Sequence, residues 1–327
     1  MVRRDRLTYT LVRVGVGVGA VTAAMICISA PRVFAATRMQ NADPASLGPV
    51  LQSARGGEHI LLAAGSYGEV KFPHKTYNPA LQIDARKAQF THVVMQGVGG
   101  VAMNGGIVNG PRSQTMAVSV DFSHDIQLQA MRTSGSQVGI SVSRSKHVIV
   151  ENNVFDGMAS DGVNIAGSQD IRVEGNVCRN FSPTRGRYDS KGKLLKDGNH
   201  PDCIQGWSIR GRPPLADISI SGNNAYGLMQ GIFFGNPGQG GIDKIVVRDN
   251  KLDLAMFNGI VVMDARGARV SHNIVRTIPG SRLFNYPFKQ VTSWIKVTAG
   301  QGNVVCGNVV DVPRFSDDLG PCKLSKP

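Results

Sequence analysis

Val148-Ile149-Val150-Glu151-Asn152-Asn153-Val154 is followed one short interval later by Ile171-Arg172-Val173-Glu174-Gly175-Asn176-Val177. Both hold an apolar-x-apolar run, then an Asn, then an apolar residue. The pattern returns at residues 218–223, 245–250, 268–273 and 303–308, with the Asn at 223, 250, 273 and 308. The shortest Asn spacing is 23 residues and the longest 47. A second run lies between successive Asn positions: Gly139-Ile140-Ser141-Val142, Gly162-Val163-Asn164-Ile165, Cys203-Ile204-Gln205-Gly206, Gly231-Ile232-Phe233-Phe234, Gly259-Ile260-Val261-Val262 and Trp294-Ile295-Lys296-Val297. Alternation with period 2 predicts short strands. Strands recurring at such intervals predict a solenoid, because one coil cannot bury its own apolar face and neighbours must stack. One Asn per coil at a fixed turn can tolerate left-handed backbone and bond to the next coil, forming a ladder. The leucine framework of leucine-rich repeats is absent.

This pattern resembles the single-stranded right-handed parallel β-helix shared by pectate lyases, alginate and chondroitin lyases and mannuronan epimerases. The resemblance implies an all-β solenoid with a short N-terminal cap helix. Residues 44–55 supply the helix, with Leu47, Val50, Leu51 and Ala54 on one face. Gly56-Gly57-Glu58-His59-Ile60 and Gly65-Ser66-Tyr67 then resemble the opening of many bacterial β-helix proteins. A cap is needed because a first coil would otherwise expose core and an unpaired strand edge. Low aromatic content, 6%, and 39 Gly suit a thin aliphatic stack.

Residues 1–35 read as a signal peptide, leaving residues 36–327 as one β-helix domain. Arg3, Arg4, Arg6 and Arg13 form a basic start, residues 14–30 are apolar, and Val33-Phe34-Ala35 offers a cleavage site. Gly15, Gly17 and Gly19 make the apolar run a poor membrane span. A secreted or periplasmic protein is expected, monomeric and without stable membrane insertion. Beyond residue 35 the chain carries 31 Lys and Arg against 22 Asp and Glu, a net charge of +9. Such a surface attracts polyanions. Export argues against nucleic acid, so an acidic polysaccharide is the expected partner. Cys306 and Cys322 could tie the C-terminal tail to the last coil. Cys178 and Cys203 are compatible with a bridge or with buried thiols.

The 47-residue gap between Asn176 and Asn223 holds the large insertion, residues 182–200, SPTRGRYDSKGKLLKDGNH. It carries Arg185, Arg187, Lys191, Lys193 and Lys196, and runs into His200-Pro201-Asp202-Cys203-Ile204-Gln205. Long loops on a rigid solenoid commonly carry function. Aligning the second runs places Ile140, Val163, Ile204, Ile232, Ile260 and Ile295 inward. Ser141, Asn164, Gln205, Phe233, Val261 and Lys296 then point outward, and Asp161, Asp202, Gln230, Asn258 and Ser293 share one edge. Adjacent coils lie about 4.8 Å apart, so Asp161 and Asp202 are expected neighbours. Two close carboxylates either raise one pKa or bind a cation, and calcium is the possible metal at Asp161 and Asp202.

The segment from His200 to Gln205 resembles a motif of exported β-helix proteins. The Asn-Thr-Asp, Asp-Asp and Gly-His-Gly elements of polygalacturonase-type hydrolases are missing. The resemblance therefore implies a lyase, or the related epimerase, that abstracts the proton next to a uronate carboxylate. His200, Asp202 and Lys196 are the catalytic candidates. Arg185, Arg187, Lys193, Arg210, Gln205 and Asn164 are the substrate-binding candidates. His124, His147 and His272 read as surface residues. A non-catalytic glycan-binding or surface-scaffold protein and a glycoside hydrolase are the alternatives.

Overall fold

The computed structural model describes residues 38–283, 286–313, 316–317 and 320–322. The expected signal peptide lies outside them. Three sheets of 12, 9 and 10 strands run along the molecule. All pairings within them are parallel, and a regular coil adds one strand to each sheet. Val138–Ser143, Lys146–Glu151 and Val154–Asp156 form one coil, and Val163–Ala166, Gln169–Glu174 and Val177–Arg179 form the next. This is the right-handed parallel β-helix that the repeats predict. Among the described residues no helix is long and apolar enough to cross a membrane.

The register matches the alignment of coils. Ile140 pairs with Val163, Val163 with Ile204, Ile204 with Ile232, Ile232 with Ile260, and Ile260 with Ile295. All six side chains are fully buried. Two details depart from expectation. Val261, expected outward, is 6% exposed and covered. Ser293 falls out of the edge column, because a register shift between Asn258 and Ile260 sets Trp294 opposite Asn258.

The Asn ladder is continuous. Asn153 Nδ2 donates to Asn176 Oδ1 at 3.0 Å, Asn176 to Asn223 at 3.0 Å, and Asn223 to Asn250, Asn250 to Asn273 and Asn273 to Asn308 at 2.9 Å each. From Asn176 onward each Oδ1 also accepts the backbone N–H of the preceding ladder Asn, and Asn153 Oδ1 accepts that of Met131. The left-handed step, however, belongs to the residue before each Asn. Asn152, Gly175, Gly222, Asp249, His272 and Gly307 have φ between 55° and 65°. The turn is made one residue early, which leaves the ladder amide free to lie along the stack. A second, shorter ladder at the opposite turn has no counterpart in the sequence reading: Val98 N–H donates to Ser123 Oγ, Ser123 to Ser145 and Ser145 to Ser168.

The cap helix is Leu47–Ser53, shorter than residues 44–55. Asp43 Oδ1 accepts the backbone N–H groups of Ala45 and Ser46, which holds those residues in a turn before the helix. Leu47, Val50 and Leu51 cover the first coil. Strand Arg38–Ala42 pairs outside Glu58–Leu62. Disulfides join Cys178 to Cys203 and Cys306 to Cys322.

Candidate functional site

Strand Asp202–Trp207 lies in the 9-stranded sheet between Val163–Ala166 and Gln230–Gly235. Alternation sends Ile204 inward and Gln205 and Trp207 outward. Asn164 is opposite Gln205 on one side, and Phe233 is opposite it on the other. Gly235 is opposite Trp207. A Cβ at Gly235 would meet the indole Cζ3 at 2.8 Å, so the glycine makes room for the ring. Trp207 rests against Phe233 with centroids 5.2 Å apart, and Trp294 against Phe257 at 5.1 Å.

Trp207, Phe233 and Phe257 wall a groove of about 390 Å³. Asp202 and Gln230 lie at its base and His200, Phe257 and Asn258 at its sides, with Gln205 beside Asp202. His200 is exposed, its side chain 42% accessible. Asp202 is only 1% exposed.

A polar chain runs beneath the groove. Asp161 Oδ1 accepts the backbone N–H of Asp202 at 3.0 Å and the Ser160 hydroxyl at 3.3 Å. Asp161 Oδ2 accepts from Asn164 Nδ2 at 3.3 Å. Gln205 Nε2 donates to Asp202 Oδ2 at 2.7 Å, and Gln205 Oε1 accepts from Trp207 Nε1 at 2.7 Å and Asn164 Nδ2 at 3.2 Å. Burial pushes the Asp161 carboxyl above its usual range, against the pull of its three donors. Burial raises Asp202 much further, the nearby Asp161 adds to it, and the single bond from Gln205 opposes it. Burial of this kind favours the protonated carboxyl, which can donate a hydrogen bond.

The structure brings His200, Asp202, Gln205, Asn164 and Asp161 together, in the groove or directly beneath it. The cations stay apart. The insertion folds as an antiparallel hairpin in which Arg187 is opposite Lys196. Arg185, Arg187, Lys193, Lys196 and Arg210 are exposed, and neither Lys nor Arg lines the groove. The hairpin is fastened to the coils by Arg112, which donates to the Ser182 hydroxyl at 2.8 Å, and by Asn199, which donates to Ala159. A charged, strongly hydrated hairpin gains little by folding down onto an aromatic groove. Lys196 accordingly has no place among the groove residues.

Asp161 and Asp202 do not fit calcium. Three of their four carboxylate oxygens accept N–H donors, which a cation would have to displace. Calcium takes about six to eight oxygens, and among the described residues no three His, Cys, Asp or Glu side chains group as a metal site. Trp207, Gln230, Phe233, Phe257 and Asn258 were not nominated as site residues from sequence. A usable signal existed, since the chain has only two Trp, each on a strand of this sheet.

Residues 113–277 match the family model described as right handed beta helix region. No curated protein matches the chain in sequence. Among solved structures it is similar to an alginate lyase from Paenibacillus sp. str. FPU-7, with 16% identity over 87% of this chain and 97% of that one and a TM-score of 0.36. It is similar to the Family 28 exopolygalacturonase of Yersinia enterocolitica, with 11% identity over 83% and 65% and a TM-score of 0.47. The tailspike protein of E. coli bacteriophage HK620, solved with a hexasaccharide, shows 12% identity over 80% and 48% and a TM-score of 0.45. At these identities the likeness concerns the fold alone.

Proposed function

The chain belongs to the right-handed β-helix family, and we propose that it binds an acidic polysaccharide in the Trp207–Phe233 groove and removes the proton next to a uronate carboxylate. The observation that carries this is a fully buried carboxyl, Asp202, whose proton affinity burial raises, at an aromatic-walled groove that the His200 imidazole also lines. Aromatic faces pack against the apolar faces of sugar rings. An imidazole can accept a proton at neutral pH. His200 takes the proton from the carbon bearing the carboxylate, and the electron pair spreads into the carboxylate. Asp202 stabilises that growing charge by donating a hydrogen bond. In a lyase the glycosidic C–O bond then breaks and the leaving oxygen takes a proton. In an epimerase a proton returns to the opposite face.

Hydrolysis at this pair is disfavoured. It requires two carboxyls that flank the scissile bond, at least about 5 Å apart. Here Asp202 lines the groove, whereas Asp161 lies beneath it with its carboxylate taken up by the Asp202 backbone N–H and by Asn164. The net charge of +9 beyond residue 35 supports an anionic partner, and two disulfides support an oxidising compartment outside the cytoplasm.

The protein should be incubated with alginate, polygalacturonate and glycosaminoglycans, following ultraviolet absorbance, solvent deuterium incorporation and reducing ends. Unsaturated products identify a lyase, and deuterium incorporation without cleavage identifies an epimerase. Binding with neither leaves the glycan-binding scaffold. New reducing ends without unsaturation would replace the proposal with hydrolysis.

A further inference from the structure

Asp202 is held from one side only. The Gln205 amide that donates to its Oδ2 cannot turn over without loss, because Gln205 Oε1 already accepts two N–H groups, from Trp207 and Asn164. An indole nitrogen can only donate. The Gln205 oxygen is therefore fixed toward Trp207 and its NH₂ toward Asp202, so Asp202 Oδ2 is an acceptor. Asp202 Oδ1 is buried and has no partner among the described residues, although Asp202 lines the groove. Asp161 is different, since backbone and side-chain donors engage both of its oxygens. Three donors favour the charged form of Asp161 and one that of Asp202, so Asp202 is the carboxyl that holds a proton more tightly. A proton on Oδ1 turns an orphaned acceptor into a donor.

We propose that Asp202 donates its Oδ1–H to the carboxylate of a uronate unit in the groove, and that Trp207 and Asn164 are positioning residues that aim it through Gln205. The proposal rests on the groove function above and goes further by naming the group recognised and the means. A carboxylate is bound by a neutral acid, without Lys, Arg or metal. Hydrogen bonds from an O–H to a carboxylate are short and strong. The surroundings demand the proton. Asp161, on the preceding coil, sets a second acid behind Asp202, so that charge on either opposes charge on the other, and the following strand contributes the uncharged Gln230 opposite it. His200 is the other titratable group lining the groove. If Asp202 lost its proton, a bound uronate would face two carboxylates with no cation between them. Recognition of the acidic sugar is thus coupled to one proton, and affinity falls as pH rises.

The test is calorimetric titration of the full-length mature chain with oligogalacturonate and oligomannuronate, from about pH 5 to about pH 9. The same oligomers with carboxylates reduced to primary alcohols serve as the neutral probe. Wild type is expected to lose about 10- to 100-fold in affinity for the acidic oligomer across this range, the worth of a hydrogen bond to a charged group. The reduced oligomer should bind with no such slope. Asp202→Asn is expected to bind the acidic oligomer more tightly than wild type at the alkaline end and to lose the slope. Its amide O accepts from Gln205, its NH₂ stands where Oδ1–H stood, and it cannot titrate. His200→Gln should keep the slope, separating the imidazole from the effect. Trp207→Phe keeps a ring but frees the Gln205 amide to turn, and its slope should shrink. Asp202→Asn binding as weakly as wild type at alkaline pH would overturn the proposal, as would a slope that survives in it. If circular dichroism shows that variant unfolded, an unchanged slope in Trp207→Phe overturns it instead. Equal binding of acidic and reduced oligomers sinks the proposal while the groove function stands. Binding of neither by wild type removes the groove function and the proposal together.

Discussion

The carboxylate of Asp161 accepts the backbone N–H of Asp202 at 3.0 Å, across 41 residues of sequence and one step between coils. This bond brings two carboxyls together out of water, and both are pushed upward. A raised carboxyl holds its proton more tightly in the folded state than in the unfolded chain. Its contribution to stability is therefore complete below the ordinary carboxylate range and is lost as pH rises through the raised value. Thermal unfolding of wild type should fall from mildly acidic toward alkaline pH relative to Asp202→Asn, which has no proton to lose. Parallel curves for the two proteins across that range would show that Asp202 does not titrate as a buried acid.

The Asn ladder should be expensive to break. Asn176 is fully buried, donates to Val150 O and Asn223 Oδ1, and accepts two bonds from Asn153. Asn176→Leu or Asn250→Leu is expected to cost about 2–4 kcal/mol, because buried partners are left unpaired. Asn152→Gly, at the exposed left-handed position before a ladder Asn, should stay within about 1 kcal/mol of wild type. Denaturant unfolding of these variants checks both statements. Equal losses at 152 and 176 would place the energy in the turn and not in the ladder.

His200→Ala should lower turnover of the uronate substrate by about 100- to 10,000-fold, the usual loss for a general base. Its melting temperature should match wild type, since the side chain is exposed. Asp202→Asn should lose less, because a donor remains beside the carboxylate. Stable, fully active His200→Ala would move the base elsewhere on this sheet, with Lys296 the next candidate.

Replacing Arg185, Arg187, Lys193 and Lys196 together by Ser should slow association at low ionic strength and leave rates alike at high salt. The motivation is that these cations are exposed on the hairpin and outside the groove. The pH slope of binding should be unchanged. Stopped-flow association at two salt concentrations reads the first effect, and loss of the pH slope would place one of the four in direct contact with the carboxylate.

Sequence alone determined the coil repeat, two of the three strands of each coil, the inward column from Ile140 to Ile295, the ladder positions and the closeness of Asp161 and Asp202. Each of these follows from a local rule applied once per coil. Alternation fixes which side chains point inward, and a shared Asn fixes the phase of successive coils, so neighbours along the stack can be read by alignment. Only the tertiary structure decided that the basic insertion folds as a hairpin away from the groove, and that Trp207 lies over Gly235. It likewise decided that Cys178 bridges to Cys203, and that the left-handed step precedes the ladder Asn. It also decided which of the two carboxyls holds a proton more tightly. That depends on the number of donors each oxygen meets, three for Asp161 and one for Asp202. Donor number is set by side-chain directions across stacked coils and by the withdrawal of water, neither of which a residue pattern specifies.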